Sequence, residues 1–391
     1  MPIAAHTPNL QGQDDSVSHS AQQSAFSDRS VLVLGIESSC DETAASVLRR
    51  APDGGLTILS SVIASQDEAH AKFGGVVPEI AARAHMDKID LIIEQAIDQA
   101  AVSYSDLDAV AATAGPGLIG GVIAGLMAAK GLSLSLDVPL IAVNHLEGHA
   151  LSPRLAKACD FPYLLLLVSG GHTQLLCVDG LGSYTRLGST VDDAAGEAFD
   201  KTAKVMGLGF PGGPKLENAA KRGNPKAAAL PRPFGKTAHS DFSFSGLKTA
   251  TARAWEMSEK TPAAQADIAA SFQKAVCDVI SSRTKNAMRA YLERHPQVKT
   301  RRFVVAGGVA ANQTIRKSLL TLCAETGFTL FAPPLKFCTD NAAMIALAGA
   351  ERLVQGDQSP LDIKARPRWP LDAAAAKDNP ASGSGRKGAK S

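Results

Sequence analysis

The chain has 391 residues, enough for two domains with full cores at roughly 100 to 200 residues each, and its formal net charge is only +2. Overall charge therefore selects neither nucleic acid nor a membrane surface as a partner. Aromatic content of 5% beside 34 Gly suits close-packed α/β layers with backbone approaching ligands at Gly-rich turns, and six cysteines without a C-x-x-C pair exclude a zinc ribbon and a disulfide framework and fit a reducing cytosol.

In chain order, the first 30 residues hold three Asp and one Arg with no apolar run, and read as a disordered tail rather than a signal or transit peptide. Residues 31–36 and 44–48 then read as two strands around the polar turn ESSCDET. Asp41 and Glu42 in that turn are adjacent carboxylates, which beside an anionic ligand must hold metal or water or act as a base; they are assigned a catalytic or orienting role. Glu79, Arg83 and His85 fall on a helix, with no mechanism evident. Residues 109–129 carry no charge and are long enough to span a membrane, but five Gly and a Pro interrupt them, so a strand, a Gly turn and a buried helix are expected. Gly115, Gly117 and Gly120 match G-x-G-x-x-G there. Because the match falls in mid-domain and Asp137 precedes the next apolar run instead of ending it, close helix packing is expected rather than dinucleotide binding.

His145 and His149 in NHLEGH lie four residues apart, share one helix face and can hold a single metal ion. In the H-E-x-x-H of metallopeptidases the acid directly follows the first histidine, whereas here Glu147 sits two places on and points away from the histidine face. Asp340 in CTDNAAMIA suits equally a third ligand and the N-cap of the apolar helix after it. A second strand–turn–strand surrounds Ser169-Gly170-Gly171-His172-Thr173, whose open amides and hydroxyls suit a phosphate or carboxylate. From Lys201 to Lys260 there are eleven Lys/Arg against four Asp/Glu, a face on which a polyanion could dock. Phe234, Phe242, Phe244 and Trp255, interleaved with those charges, suit either base stacking or the core. No P-loop precedes Gly235-Lys236-Thr237, since Leu230 stands where its first glycine belongs. The segments from Asp108 and from Arg302 both read as strand, Gly-rich turn, helix. Each half thus holds a hairpin followed by such a unit, which suggests a duplicated two-lobed α/β protein with its ligand between the lobes.

Eight ordered motifs carry a family resemblance: GIESSCDET from Gly35, NHLEGH from Asn144, VSGGHTQ from Val168, GEAFDKTAK from Gly196, FPGGP from Phe210, DFSFSGLKTA from Asp241, VAGGVAAN from Val305 and CTDNAAMIA from Cys338. Over residues 31–354 the chain resembles the bacterial tRNA adenosine threonylcarbamoyltransferases, the TsaD family once called glycoproteases. The resemblance implies the actin-like (ASKHA) fold of sugar kinases and Hsp70 ATPases, with an interlobe nucleotide cleft. The expected organisation is a tail (1–30), an N-terminal lobe (31–145), a C-terminal lobe (146–340) with a basic helical insertion around 201–260, a helix packing back toward the cleft (341–370), and a disordered tail (371–391). The implied reaction transfers threonylcarbamoyl from threonylcarbamoyl-AMP to the N6 amine of adenosine-37, in tRNAs that read codons beginning with A. Metal ligands His145, His149 and Asp340 would hold Fe(2+) or Zn(2+). Val168, Ser169, Gly170, Gly171 and His172 would form a substrate loop, with the His172 imidazole neutralising a phosphate. Asp200 and Glu217 would accept ribose hydroxyls, Gly213 would let the base lie on backbone, and Asn312 would pair with the adenine edge. A TsaB-like paralogue and a TsaE-like ATPase are the implied partners, in the cytoplasm and without a membrane. The competing classes are a metallopeptidase and a non-catalytic actin-like scaffold.

Overall fold

The computed structural model describes residues 25–378 apart from 72, 74 and 236; most of the two expected tails, 1–24 and 379–391, lies outside the described residues. The first sheet contains β1 (Val31–Glu37), β2 (Glu42–Arg50), β3 (Leu56–Ile58), β4 (Val62–Ser65), β5 (Ala109–Gly115) and β6 (Leu140–Asn144). The second contains β7 (Tyr163–Val168), β8 (Thr173–Gly180), β9 (Ser183–Ser189), β10 (Arg302–Ala306) and β11 (Thr329–Phe331). Strand order is β3-β2-β1-β5-β6 in one, with β4 paired to β2, and β9-β8-β7-β10-β11 in the other. In each, the first strand runs antiparallel to the second and parallel to the strand on its other side. The duplication expected from the sequence is therefore present in five strands of each sheet, with β4 added to the first. β1, β5 and β7 are buried along their whole length, as unbroken apolar strands of a doubly covered sheet must be.

Helices α1 (Asp67–Ala71), α2 (Pro78–Met86), α3 (Ile89–Ala100), α4 (Ile119–Leu136) and α5 (His145–Leu151) follow in the first half. The second half adds α6 (Ala195–Val205), α7 (Gly212–Ala220), α8 (Ser245–Glu256), α9 (Pro262–Arg294), α10 (Gln313–Thr326), α11 (Ala342–Val354) and α12 (Ala373–Asp378). On the outer face of the first sheet, Ile92, Ile93 and Ile97 of α3 and Leu126 of α4 share a core with Leu34, Ile36 and Val110. Its inner face is covered from the far end of the chain, where Met344, Ile345 and Leu347 of α11 pack on Val31, Val33 and Ala111. Leu146 and Ala150 of α5 pack on Leu165, Leu167 and Val304 of the second sheet. The two inner helices meet at Gly148, where a Cβ would stand 2.9 Å from Ile345 Cδ1. That close approach brings the histidine helix beside the residues that lead into α11.

The glycines of the G-x-G-x-x-G match serve packing, as expected. A Cβ at Gly117 would meet Ser39 O at 2.5 Å and one at Gly120 would meet Ala82 Cβ at 2.7 Å, while at the adjoining Gly121 it would meet Ser38 O at 2.2 Å, so α4 lies directly on α2 and the β1–β2 turn. The basic segment between Lys201 and Lys260 is the helical layer of the second sheet. Phe242, Phe244 and Trp255 are buried there with Leu247 and Phe272. Burial of each large ring contributes roughly 2–3 kcal/mol, and this core role replaces base stacking for those three.

Parts of both expected tails are anchored. Phe26 packs on the α11 side of the first sheet, and Arg29 Nη2 lies 2.5 Å from Asp108 Oδ1. Leu371 packs against the second sheet, where Asp372 Oδ2 accepts the Arg186 N–H at 2.9 Å and Ala375 O accepts from the Arg186 guanidinium at 2.7 Å. Polarity of composition concealed these contacts, because the partners lie far away in sequence, 79 positions for Arg29 and Asp108 and 186 for Arg186 and Asp372.

Candidate metal centre and interlobe cleft

Asn144 starts the histidine helix: its Oδ1 accepts the Leu146 N–H at 2.9 Å, while its Nδ2 donates to Trp369 O at 2.9 Å. One turn of helix then sets His145 and His149 on one face, with ring centroids 4.7 Å apart. The alternatives left open for Asp340 are decided by its neighbour. Asn341 is the N-cap of α11, its Oδ1 accepting the Met344 N–H at 3.1 Å. Asp340 instead turns to the histidines, with Oδ1 3.0 Å from His149 Nε2 and 3.5 Å from His145 Nε2.

The candidate ligand atoms of His145, His149 and Asp340 lie within 4.8 Å of one another. Both imidazoles are buried, and the Asp340 side chain retains 19% exposure, which leaves one open side. Two Nε2 atoms converging on one carboxylate oxygen fit a divalent ion of the zinc or iron type.

Behind this trio stands a residue the sequence reading missed. Glu37, the last residue of an otherwise apolar strand, is fully buried and accepts from Ser39 N–H at 2.6 Å, Thr113 Oγ1 at 2.7 Å and His145 Nδ1 at 2.9 Å. It therefore fixes the tautomer that leaves His145 Nε2 facing Asp340, the arrangement that orients metal-binding histidines. A carboxylate ending a wholly apolar strand was the available signal. Burial opposes the charge on Glu37, and His145 overrides it, leaving the carboxyl lowered. Burial likewise opposes charge on His145, but Asp340 and Glu37 raise it to about 9. Burial also opposes the Asp340 charge, and the two histidines hold that carboxyl well below its usual range.

The second hairpin turn folds onto α6: Gly196 N–H donates to Ser169 O and Glu197 N–H to Gly170 O, both at 3.2 Å. Gly170 and Gly171 have open space where a side chain would stand. Burial, reinforced by His145 and His149, pushes His172 down to about 3. The imidazole is therefore uncharged at neutral pH and does not itself carry the positive charge expected of it. Asp200 Oδ1 accepts the Gly212 N–H at 2.9 Å, which seats the Gly212-Gly213 turn, and Gly213 faces open space. Its carboxyl is raised by burial, with Asp41 of the opposite turn adding to the effect. Glu217 Oε1 accepts the Gln313 N–H at 2.8 Å. Asn312 caps α10 through Ile315 N–H at 3.0 Å and donates to Gln273 Oε1 at 2.9 Å.

Glu147 is committed elsewhere. Its Oε2 accepts from Tyr184 Oη at 2.7 Å and its Oε1 pairs with Arg352 Nε at 2.6 Å, which ties the histidine helix to β9 and to α11.

A family model described as tRNA N6-adenosine threonylcarbamoyltransferase (TsaD) matches residues 57–347. The chain belongs to that family. A relative of the same name from Maricaulis maris is 58% identical over 364 residues, covering 93% of this chain and 97% of its own. Another from Caulobacter vibrioides is 59% identical over 360 residues, covering 92% and 98%. Among solved structures, HypF from T. kodakarensis superposes with a TM-score of 0.53 at 16% identity, covering 85% of this chain and 48% of that one; the likeness supports the actin-like fold alone. Family membership makes the chain an acyltransferase rather than a member of the peptidase class raised by its histidine spacing.

Proposed function

We propose that this chain transfers the threonylcarbamoyl group of threonylcarbamoyl-AMP to N6 of adenosine-37 in tRNAs that read codons beginning with A. The observation that carries the reading is the convergence of His145, His149 and Asp340 between two hairpin turns, in a chain of this family. The N6 amine attacks the carbamoyl carbon, a C–N bond forms, the carbon–oxygen bond to phosphate breaks, and AMP departs with that electron pair while N6 gives up a proton. An aromatic amine is a weak nucleophile, so alignment and polarisation of the carbonyl must provide the acceleration. A divalent ion held by His145, His149 and Asp340 supplies Lewis-acid or templating chemistry, with Fe(2+) favoured by the donor set and Zn(2+) accommodated. Ser169, Gly170, Gly171 and His172 line the turn that receives the acyl adenylate beside Val168. Asp200, Gly213, Glu217 and Asn312 receive its nucleoside. Asp41 and Glu42, half-buried on the facing turn, provide carboxylate for the proton lost from N6.

The location proposed is the cytoplasm. Among the described residues only α4 is long and apolar enough to cross a membrane, yet Val122, Leu126 and Ala129 bury one side of it in the core. Its other side leaves Ile119, Ile123 and Met127 between 46% and 57% exposed at four-residue spacing. That stripe supports docking of the TsaB-like paralogue; the TsaE-like ATPase rests on family resemblance alone. Met127→Glu should release the paralogue on gel filtration, and an unaltered complex refutes this surface.

The reaction itself is tested by incubating the chain with its partners, metal, ATP, threonylcarbamoyl-AMP and anticodon-matched tRNA, then measuring modified nucleoside by mass spectrometry. Product that vanishes in Asp340→Ala together with bound metal is the expected result. Transfer retained by a metal-free His145→Ala protein refutes the metal role.

A further inference from the structure

His85 on α2 is fully buried, and the chemistry above makes no use of it. Its ring is wedged beneath the first hairpin turn against α4, where a Cβ at Gly121 would stand 3.0 Å from both Cδ2 and Nε2. His85 Nε2 lies 3.2 Å from Cys40 O, and since a carbonyl only accepts, that nitrogen bears the hydrogen. Nδ1 is then the acceptor, with Thr43 Oγ1 at 2.8 Å and Gln66 Nε2 at 3.4 Å as donors. Gln66 Oε1 accepts in turn from His70 Nε2 at 3.3 Å, and His70 Nδ1 accepts the Val77 N–H at 3.3 Å. The donors run in one direction from Val77 to Cys40, and every ring nitrogen and amide atom on the way is used in a single consistent tautomer. Burial lowers the basicity of His85, in keeping with a neutral ring.

The two groups that His85 holds, Cys40 O and Thr43 Oγ1, bracket Asp41 and Glu42. The β1–β2 ladder closes at Glu37 opposite Ala44, so the turn has no pairing between those strands to fix its course. Its first half is tied to α4, through Ser38 Oγ donating to Gly121 O at 2.9 Å and Leu118 N–H donating to Ser39 O at 2.7 Å. Its second half leads into β2, where Glu42 and Thr43 pair with Ser65 and Ala64 of β4, and His85 adds a side-chain hold on Cys40 O and Thr43 Oγ1 at either end of the Asp41-Glu42 pair.

We propose that His85 is a positioning residue for acyl transfer: one nitrogen on Cys40 O and the other on Thr43 set the direction in which Asp41 and Glu42 face the cleft. The inference rests on the reading of those two acids as parts of the transfer site. The full-length chain with its partners is assayed in single-turnover and steady-state form as His85→Asn, whose amide reaches Thr43 but not Cys40, and as His85→Gln, whose amide reaches the Cys40 carbonyl. A misplaced reacting group lowers turnover by on the order of 100-fold. His85→Asn should therefore lose about that much kcat with KM for tRNA and bound metal unchanged, while His85→Gln stays within several-fold of the parent. Combined with Asp41→Ala, the His85→Asn change should add little further loss, because both act through one element. Parental kcat in His85→Asn, equal losses in the two variants, or a fully additive double variant overturns the proposal. Parental transfer in both Asp41→Ala and Glu42→Ala overturns the site reading beneath it instead.

Discussion

Glu147 sits between the two histidines in sequence, and its replacement separates a structural from a catalytic role. Its side chain is 1% exposed and joins Arg352 to Tyr184 beneath the helix that bears His145 and His149. Glu147→Ala strands the Arg352 guanidinium, which is 23% exposed and keeps Asp357 at 2.9 Å. Breaking a fully buried pair costs about 3–5 kcal/mol, and the residual exposure and second partner reduce this to about 2–3 kcal/mol. With an unfolding entropy of roughly 2 cal/mol/K per residue, the thermal midpoint should fall by about 3–4 °C. Glu147→Gln keeps a group for Tyr184 but loses the charge, so it should fall by less. Differential scanning fluorimetry reads the midpoint, metal analysis reads occupancy, and nucleoside mass spectrometry reads transfer. Metal retention should weaken with stability, while transfer per metal-loaded chain stays within several-fold of the parent. An unchanged midpoint in Glu147→Gln combined with abolished transfer would refute this reasoning and assign Glu147 a part in the chemistry.

Glu37→Gln removes the charge that orients His145 and should weaken metal binding about 10–100-fold, measured by competition with a chromophoric chelator; equal affinity contradicts the supporting role. Gly35→Ala places a Cβ 2.4 Å from Ala342 O, so α11 must shift from the sheet. It should cost about 1–3 kcal/mol and also loosen metal, and a normal midpoint with full metal content counts against α11 as the mount for Asp340. Burial raises the thiols of Cys159 to about 11 and of Cys177, Cys277 and Cys323 to about 12. Native protein at pH 8 should resist alkylation at these four positions. Their folded values exceed the unfolded value of 9.0, so the associated stability is complete below pH 9 and is lost as pH rises toward 12. Rapid labelling of all four in the native state, or a midpoint that rises above pH 9, contradicts that burial.

The local elements were legible because their causes are local. Apolar runs set β1, β5 and β7, and the strand–turn–strand repeat announced two similar sheets. His145 and His149 could be placed on one face from helical periodicity alone. What only the tertiary structure decided is whatever joins distant positions. Asp340 meets His149 across 191 positions, and Glu37 meets His145 across 108. Whether Asp340 or Asn341 would cap α11 could not be chosen from sequence, since both side chains suit the position; the choice followed from the seat of α11 on β1 and its contact with Gly148. The aromatic residues between Lys201 and Lys260 suited base stacking and core equally, and burial of Phe242, Phe244 and Trp255 decided for the core. Periodicity records which face of an element is apolar, whereas the partner that covers it is fixed only when the two sheets close over α5 and α11.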